Sequence, residues 1–238
     1  MRQVLSGPLR TLLGAALLST LVVGVGFRNA APTIRVEPAP EWTALFERSS
    51  GWLGADGIYS IPLSGVDAPG TAARTRTAFV FSDTLVGQVL GGHVQPGAVL
   101  VNNSGALLDG AQPDPARMQF YLARDGGGQY QALFVPSTPH AQAGEWYWLG
   151  DGFVDQARGD TTYLFANRMT RTGPGTWGFA QVGVALLTLP AGSAPPFANQ
   201  AQTESPLFVP AANGRGERSF GGGILVNTAA AGAPHPDG

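Results

Sequence analysis

Two aspartates stand in matching surroundings 95 residues apart. Asp56 lies in Trp52-Leu53-Gly54-Ala55-Asp56-Gly57-Ile58, and Asp151 lies in Trp148-Leu149-Gly150-Asp151-Gly152-Phe153. A pair of carboxyl groups can divide proton transfer between them, one giving a proton while the other takes one or attacks. Each motif is followed by a strand-like segment with aromatic residues, Thr77–Asp83 and Thr161–Asn167. Asp83 closes the first of these segments, where it could orient a ligand or shift the acidity of a neighbouring carboxyl. Asn102 and Asn103 offer amide hydrogen bonds, Trp52 and Trp148 offer flat apolar faces, and Arg168 offers a fixed cation. Every one of these residues also has a plainer use. Asp-Gly is a common turn, and an Asp before a strand often only caps a loop. A Trp most often buries its large area in a core.

The elements that must position these groups read as strands. Segments 57–63, 78–81, 86–89, 98–108, 118–123, 131–135, 152–154, 162–166, 179–189, 206–209 and 222–227 are short and rich in β-branched or aromatic residues. Between them lie turn signals such as Asp67-Ala68-Pro69-Gly70, Asp125-Gly126-Gly127-Gly128 and Arg171-Thr172-Gly173-Pro174-Gly175. Helical periodicity is confined to a turn or two near Glu41–Arg48, which would cap the domain. The expectation is an all-β fold built as a β-propeller, because a repeat that opens strands with an acid brings carboxylates to a common axis. The spacing from Asp56 to Asp151 corresponds to about two blades of roughly 40–50 residues each. A blade boundary is therefore expected near Asn103, and a fourth blade near Ser219-Phe220-Gly221.

Inventory excludes several chemistries. The chain has no Cys, and all 14 of its basic residues are Arg. Disulfides, thiolate sites and lysine-based catalysis are thus excluded. His93, His140 and His235 are far apart in sequence, without metal-ligand spacing. Neither a Gly-x-Ser-x-Gly elbow nor a Gly-x-Gly-x-x-Gly turn between strand and helix occurs. Residues 1–31 read as an export signal or an N-terminal anchor: Arg2 and Arg10 precede an uncharged apolar run over 11–27, and the first acidic residue is Glu37. Cleavage near Ala30-Ala31 and retention as a membrane anchor both stay open, and either implies an exported protein. Residues 32–50 read as a linker with a short capping segment, and 51–238 as the β domain. Acids outnumber arginines beyond Pro32, so nucleic acid is not an expected partner.

The segments Gly54–Ser60, Phe81–Gly87, Val101–Ser104, Tyr147–Phe153 and Asn227–Gly238, taken in order, resemble the secreted bacterial five-bladed β-propellers related to furanoside-acting glycosidases, the arabinanase- and levanase-like superfamily. The resemblance implies a glycoside hydrolase of a polysaccharide, with furanose-containing polymers among the candidate substrates. Asp56 and Asp151 would be the catalytic pair, with Asp83, Asn102, Asn103, Trp52, Trp148 and Arg168 binding substrate. Its partner would be a polysaccharide or oligosaccharide, and a membrane only through residues 11–27. No cofactor is called for, although an axial calcium is possible. On this pattern Asp237-Gly238 should lead into a further strand, so the propeller is expected to be incomplete, with about three blades and the start of a fourth. Two alternatives stay open, a non-catalytic glycan-binding propeller and an inactive truncated fragment.

Overall fold

A computed structural model describes residues 35–68, 70–193 and 197–224. The chain divides into the units Met1–Pro38 and Ala39–Gly238. Of the first, only Arg35–Pro38 are described, and Arg35 pairs there with Glu37. The apolar run over 11–27, the strand reading beyond Ile224, His235 and Asp237-Gly238 lie outside the described residues. No described helix is long and apolar enough to cross a membrane.

Among the described residues strand accounts for 46% and helix for 7%, so the fold is all-β. It opens with one helical turn, α1 (Pro40–Thr43), with Pro at its first position, where a missing N–H costs nothing. Sixteen strands follow: β1 (Ser50–Ala55), β2 (Tyr59–Pro62), β3 (Arg76–Phe81), β4 (Thr84–Leu90), β5 (His93–Val94), β6 (Val99–Val101), β7 (Ser104–Asp109), β8 (Met118–Tyr121), β9 (Ala123–Arg124), β10 (Tyr130–Gln131), β11 (Trp146–Asp155), β12 (Thr161–Arg171), β13 (Phe179–Leu189), β14 (Ala201–Ser205), β15 (Phe208–Val209) and β16 (Arg218–Ser219). All pairings are antiparallel.

Two four-stranded meanders dominate. The second is simple, in the order β11-β12-β13-β14. The first is a meander whose strands break midway. β2-β3-β7-β8 form one sheet, and β1, β4 and β6 continue the same three strands into an adjoining sheet, with β5 folded back on β4. The breaks fall at residues 56–58, 82–83 and 102–103. This corrects the expected boundary near Asn103. Asn102 and Asn103 interrupt the third strand of the first meander and do not begin a separate sheet. One meander and a small β9-β10 hairpin fill the interval in which two blades were expected.

Strand periodicity explains the packing. On β3, Phe79 and Phe81 point to one side, joining Leu45, Phe46, Trp52, Phe120 and Met118. Ala78 and Val80 point to the other side, joining Ile61, Leu149, Leu164, Ala185 and Leu187. The sheet β2-β3-β7-β8 is therefore covered on both faces, and its inner strands β3 and β7 carry apolar runs, 78–81 and 106–108, rather than alternation. Leu45, just beyond α1, is 1% exposed, so the N-terminal turn closes the first cluster as a cap.

Candidate functional site

The three aligned breaks in the first meander collect its polar groups. At the break Asp56 N–H donates to Asp83 O at 3.2 Å, and Ser82 N–H donates to Asp56 O at 3.0 Å. Gly57 has φ +58°, and a side chain there would meet Ser82 Oγ at 2.6 Å, so the turn requires glycine. Behind the break, Thr84 and Ser104 share a hydroxyl contact of 2.7 Å, and Trp52 Nε1–H donates to Ser104 Oγ at 3.2 Å.

Asp83 is the hub. Its Oδ1 accepts from Trp148 Nε1–H at 2.8 Å and from Asn102 Nδ2–H at 3.3 Å. The half-buried Trp148 indole comes from β11 of the second meander, 65 residues away in sequence. The same junction is fastened by Ser82 Oγ–H, which donates to Leu149 O at 3.3 Å. Asp56 lies next to this hub. Burial around its carboxyl, then the negative charge of Asp83, raises its pKa above the ordinary 3.8 and outweighs the backbone hydrogen bonds that pull it down. Asp56 is open to solvent, which limits the size of the rise.

Asp151 sits on a bulge in β11, where the register with β12 shifts between Leu149 and Gly152. Its Oδ1 accepts from Gly152 N–H at 2.8 Å and its Oδ2 from Ile224 N–H at 2.8 Å, while its own N–H donates to Gly221 O at 3.0 Å. The Asp151 side chain thus ties segment 221–224 to β11. It also forms part of the wall of a groove of about 520 Å³, with Ser60, Pro62, Asp67, Phe153 and Gln156 among its other lining residues. Asp56 and Asp83 do not line that groove. The structure brings Asp56, Asp83, Asn102 and Trp148 together, and places Asp151 at the neighbouring bulge.

Three expected ligand-binding residues are corrected. Trp52 is 3% exposed and its ring packs against Phe46, Phe81 and Phe120, so no face is open to a ligand. Asn103 is fully buried. Its Nδ2 donates to Phe134 O and Tyr147 O at 2.9 and 3.1 Å, and its Oδ1 accepts from Phe134 N–H at 2.8 Å. This amide replaces ladder bonds that the broken strand cannot make. Arg168 is 6% exposed and donates to His140 O at 2.7 Å and Glu145 Oε2 at 2.8 Å, with Glu204 Oε2 at 3.7 Å. It pairs with the buried Glu145 and the partly exposed Glu204, and its side chain is closed to substrate.

That buried network was not foreseen. Tyr147 O–H donates to Gln202 Oε1 at 2.9 Å, and burial foremost pushes its pKa up to about 12. At Glu204 burial raises the pKa, but the Thr138 hydroxyl, the Arg168 guanidinium and His140 outweigh it and hold the carboxyl below its ordinary 4.5. The Thr138 hydroxyl is buried and makes no hydrogen bond of good geometry. A calcium ion takes six to eight oxygen ligands. Among the described residues no three acidic or histidine side chains converge on a metal position, so the residues present do not fit one.

Fold and site define an all-β protein in which two antiparallel meanders meet at a carboxylate-bearing seam. The chain belongs to the family described as "Domain of unknown function (DUF5005)", whose model matches residues 40–224. No curated protein matches it in sequence. Among solved structures it is similar to one titled a "putative hydrolase" from Bacteroides ovatus ATCC 8483, at 17% identity and a TM-score of 0.49, over 66% of this chain and 39% of that one. The chain therefore spans about two fifths of that structure's length.

Proposed function

We propose that this protein is an exported carbohydrate-active protein of propeller type that hydrolyses glycosidic bonds. The observation that carries the reading is the raised Asp56 carboxyl beside Asp83, with Asp83 oriented from the second meander by Trp148. Glycoside hydrolysis requires one carboxyl that keeps its proton to deliver to the leaving oxygen, and another that activates water or attacks. Asp56 is the proton donor. Burial and then the charge of Asp83 favour the protonated form of Asp56, and Asn102 and Trp148 hold Asp83 in position. Asp151, fixed by two backbone N–H groups at the wall of the groove, is the second carboxylate. The substrate class is a neutral polysaccharide, a furanose polymer in the first instance, and export rests on the charge and hydropathy pattern of residues 2–27.

The test is reducing-sugar release from arabinan and levan by the wild type and by Asp56→Asn, Asp83→Asn and Asp151→Asn. Loss of activity by about 100-fold or more in Asp56→Asn, with the fold intact, is the expected result. Full activity in Asp56→Asn would overturn the assignment. Activity surviving Asp151→Asn alone would make Asp83 the second carboxylate.

One observation favours a second reading, a glycan-binding protein without catalysis. Both oxygens of Asp151 already accept backbone hydrogen bonds, and this carboxylate lines a groove that Asp56 does not. Polymer binding without product in any variant would select that reading.

A further inference from the structure

One large aromatic residue in the described β domain stands almost wholly in water. Trp177 is 85% exposed at the hairpin joining β12 to β13. That hairpin is held firmly. Thr172 N–H donates to Gly178 O at 2.9 Å, Gly178 N–H donates to Gly175 O at 3.3 Å, and Arg171 Nη1 donates to Gly175 O at 3.2 Å. Gly178 abuts Gly173 O so closely that no side chain fits there. This bonded turn holds the indole out in water, where its faces are open to a ligand.

The aromatic rings continue from that point towards the acids. Trp177 lies 6.3 Å from Phe179, Phe179 lies 4.8 Å from Trp148, and Trp148 donates to Asp83. Phe179 and Trp148 are half-buried. Amides flank this row: Gln181 Nε2 donates to Asn167 Oδ1 at 3.1 Å and to Ser219 Oγ at 2.7 Å, and Asn167 is the cross-strand partner of Trp148. An apolar ring row beside a row of amides and hydroxyls suits a chain of sugar rings, which presents C–H faces and hydroxyl edges together.

We infer that Trp177, Phe179 and Trp148 form a track that holds successive sugar units of a polymeric glycan and feeds one end of it to the Asp56–Asp83 site. The inference rests on the carbohydrate reading above and adds to it that the protein takes polymers in preference to short oligosaccharides. The hairpin tip supplies the outermost contact, which a longer chain adds to those made nearer the acids.

The experiment uses the full chain and measures retardation in native gels cast with arabinan or levan, alongside calorimetric titration with the matching disaccharide. Trp177→Ala is compared with wild type and with Leu90→Ala, which removes another largely exposed apolar side chain elsewhere. Trp177→Ala is expected to weaken polymer binding about three- to tenfold, to leave disaccharide binding and thermal stability unchanged, and to differ from Leu90→Ala. Trp177→Phe should restore part of the loss. Unchanged polymer retention in Trp177→Ala, or equal loss in Leu90→Ala, overturns the track, as does a wild type that neither polymer retards. Hydrolysis is scored separately. Disaccharide cleavage without polymer retention would leave the acid assignment standing and remove the track. Retention that depends on Trp177 but yields no product would do the reverse.

Discussion

At the scale of single residues, one side-chain type serves different ends according to its neighbours. Asn102 and Asn103 are adjacent, yet Asn102 reaches Asp83 at the half-buried seam while Asn103 is spent on the backbone of Phe134 and Tyr147. Asn103→Ala should destabilise the protein by about 2–4 kcal/mol, because three buried backbone groups lose their partner. Chemical denaturation measures this, and a change below 1 kcal/mol would mean that water replaces the amide. Asp56 has a pH signature of its own. Its folded pKa lies above 3.8, so the folded state holds the proton more firmly, and stability falls as pH rises through that raised value. Asp56→Asn removes this loss. The variant should melt above wild type at pH 7, with the difference shrinking towards pH 3.

Strands and bulges decide where the repeat is faithful. Both Trp-Leu-Gly segments lie on strands whose register shifts just after the Trp, between Trp52 and Gly54 on β1 and between Leu149 and Gly152 on β11. The tryptophans diverge because α1 and its following turn bring Phe46 against Trp52, whereas Trp148 meets Asp83. The second bulge has no room for a larger residue. A methyl group on Gly152 would lie 2.5 Å from Tyr163 O and 2.7 Å from Ile61 Cδ1. Gly152→Ala should therefore cost about 1–3 kcal/mol by overpacking, read as a lower melting temperature, and should disturb Asp151 one residue away. Of the strands, β13 occupies the whole of its expected span, 179–189. β14 was not expected, since Ala201–Ser205 shows no apolar alternation. Its inward residues are Gln202 and Glu204, which serve Tyr147 and Arg168, so a polar interior conceals the strand pattern.

For the whole molecule, the buried charge cluster behind β11 sets behaviour in acid. Glu204 is held below its ordinary 4.5, so its contribution to stability is present above that pH and is lost as pH falls through its lowered value. Wild type should lose melting temperature steeply below pH 4.5, and Glu204→Gln should flatten that decline. Removing the cation should be harsher. Arg168→Met leaves Glu145, whose side chain is 6% exposed, without its 2.8 Å partner, at a cost of about 3–5 kcal/mol. Loss of folded protein at neutral pH, recovered in part by the double variant with Glu145→Gln, would identify unpaired charge as the cause.

Local pattern was enough to establish the all-β class, the span of β13 and the helical turn at the domain's edge. Periodicity reports how each residue is divided between core and solvent, and that is a local property. It read 98–108 as one strand, because apolar runs stand on both sides of a break that only the bonds from Asn103 to Phe134 and Tyr147 reveal. It also paired Asp56 with Asp151, because those two share a motif. Folding adds a carboxylate that the motif does not mark, joining Asp83 to Trp148 beside Asp56, and it binds Asp151 to Ile224. Such partnerships depend on where strands break and bulge and on which meander lies alongside, and these are fixed by packing between segments far apart in the chain.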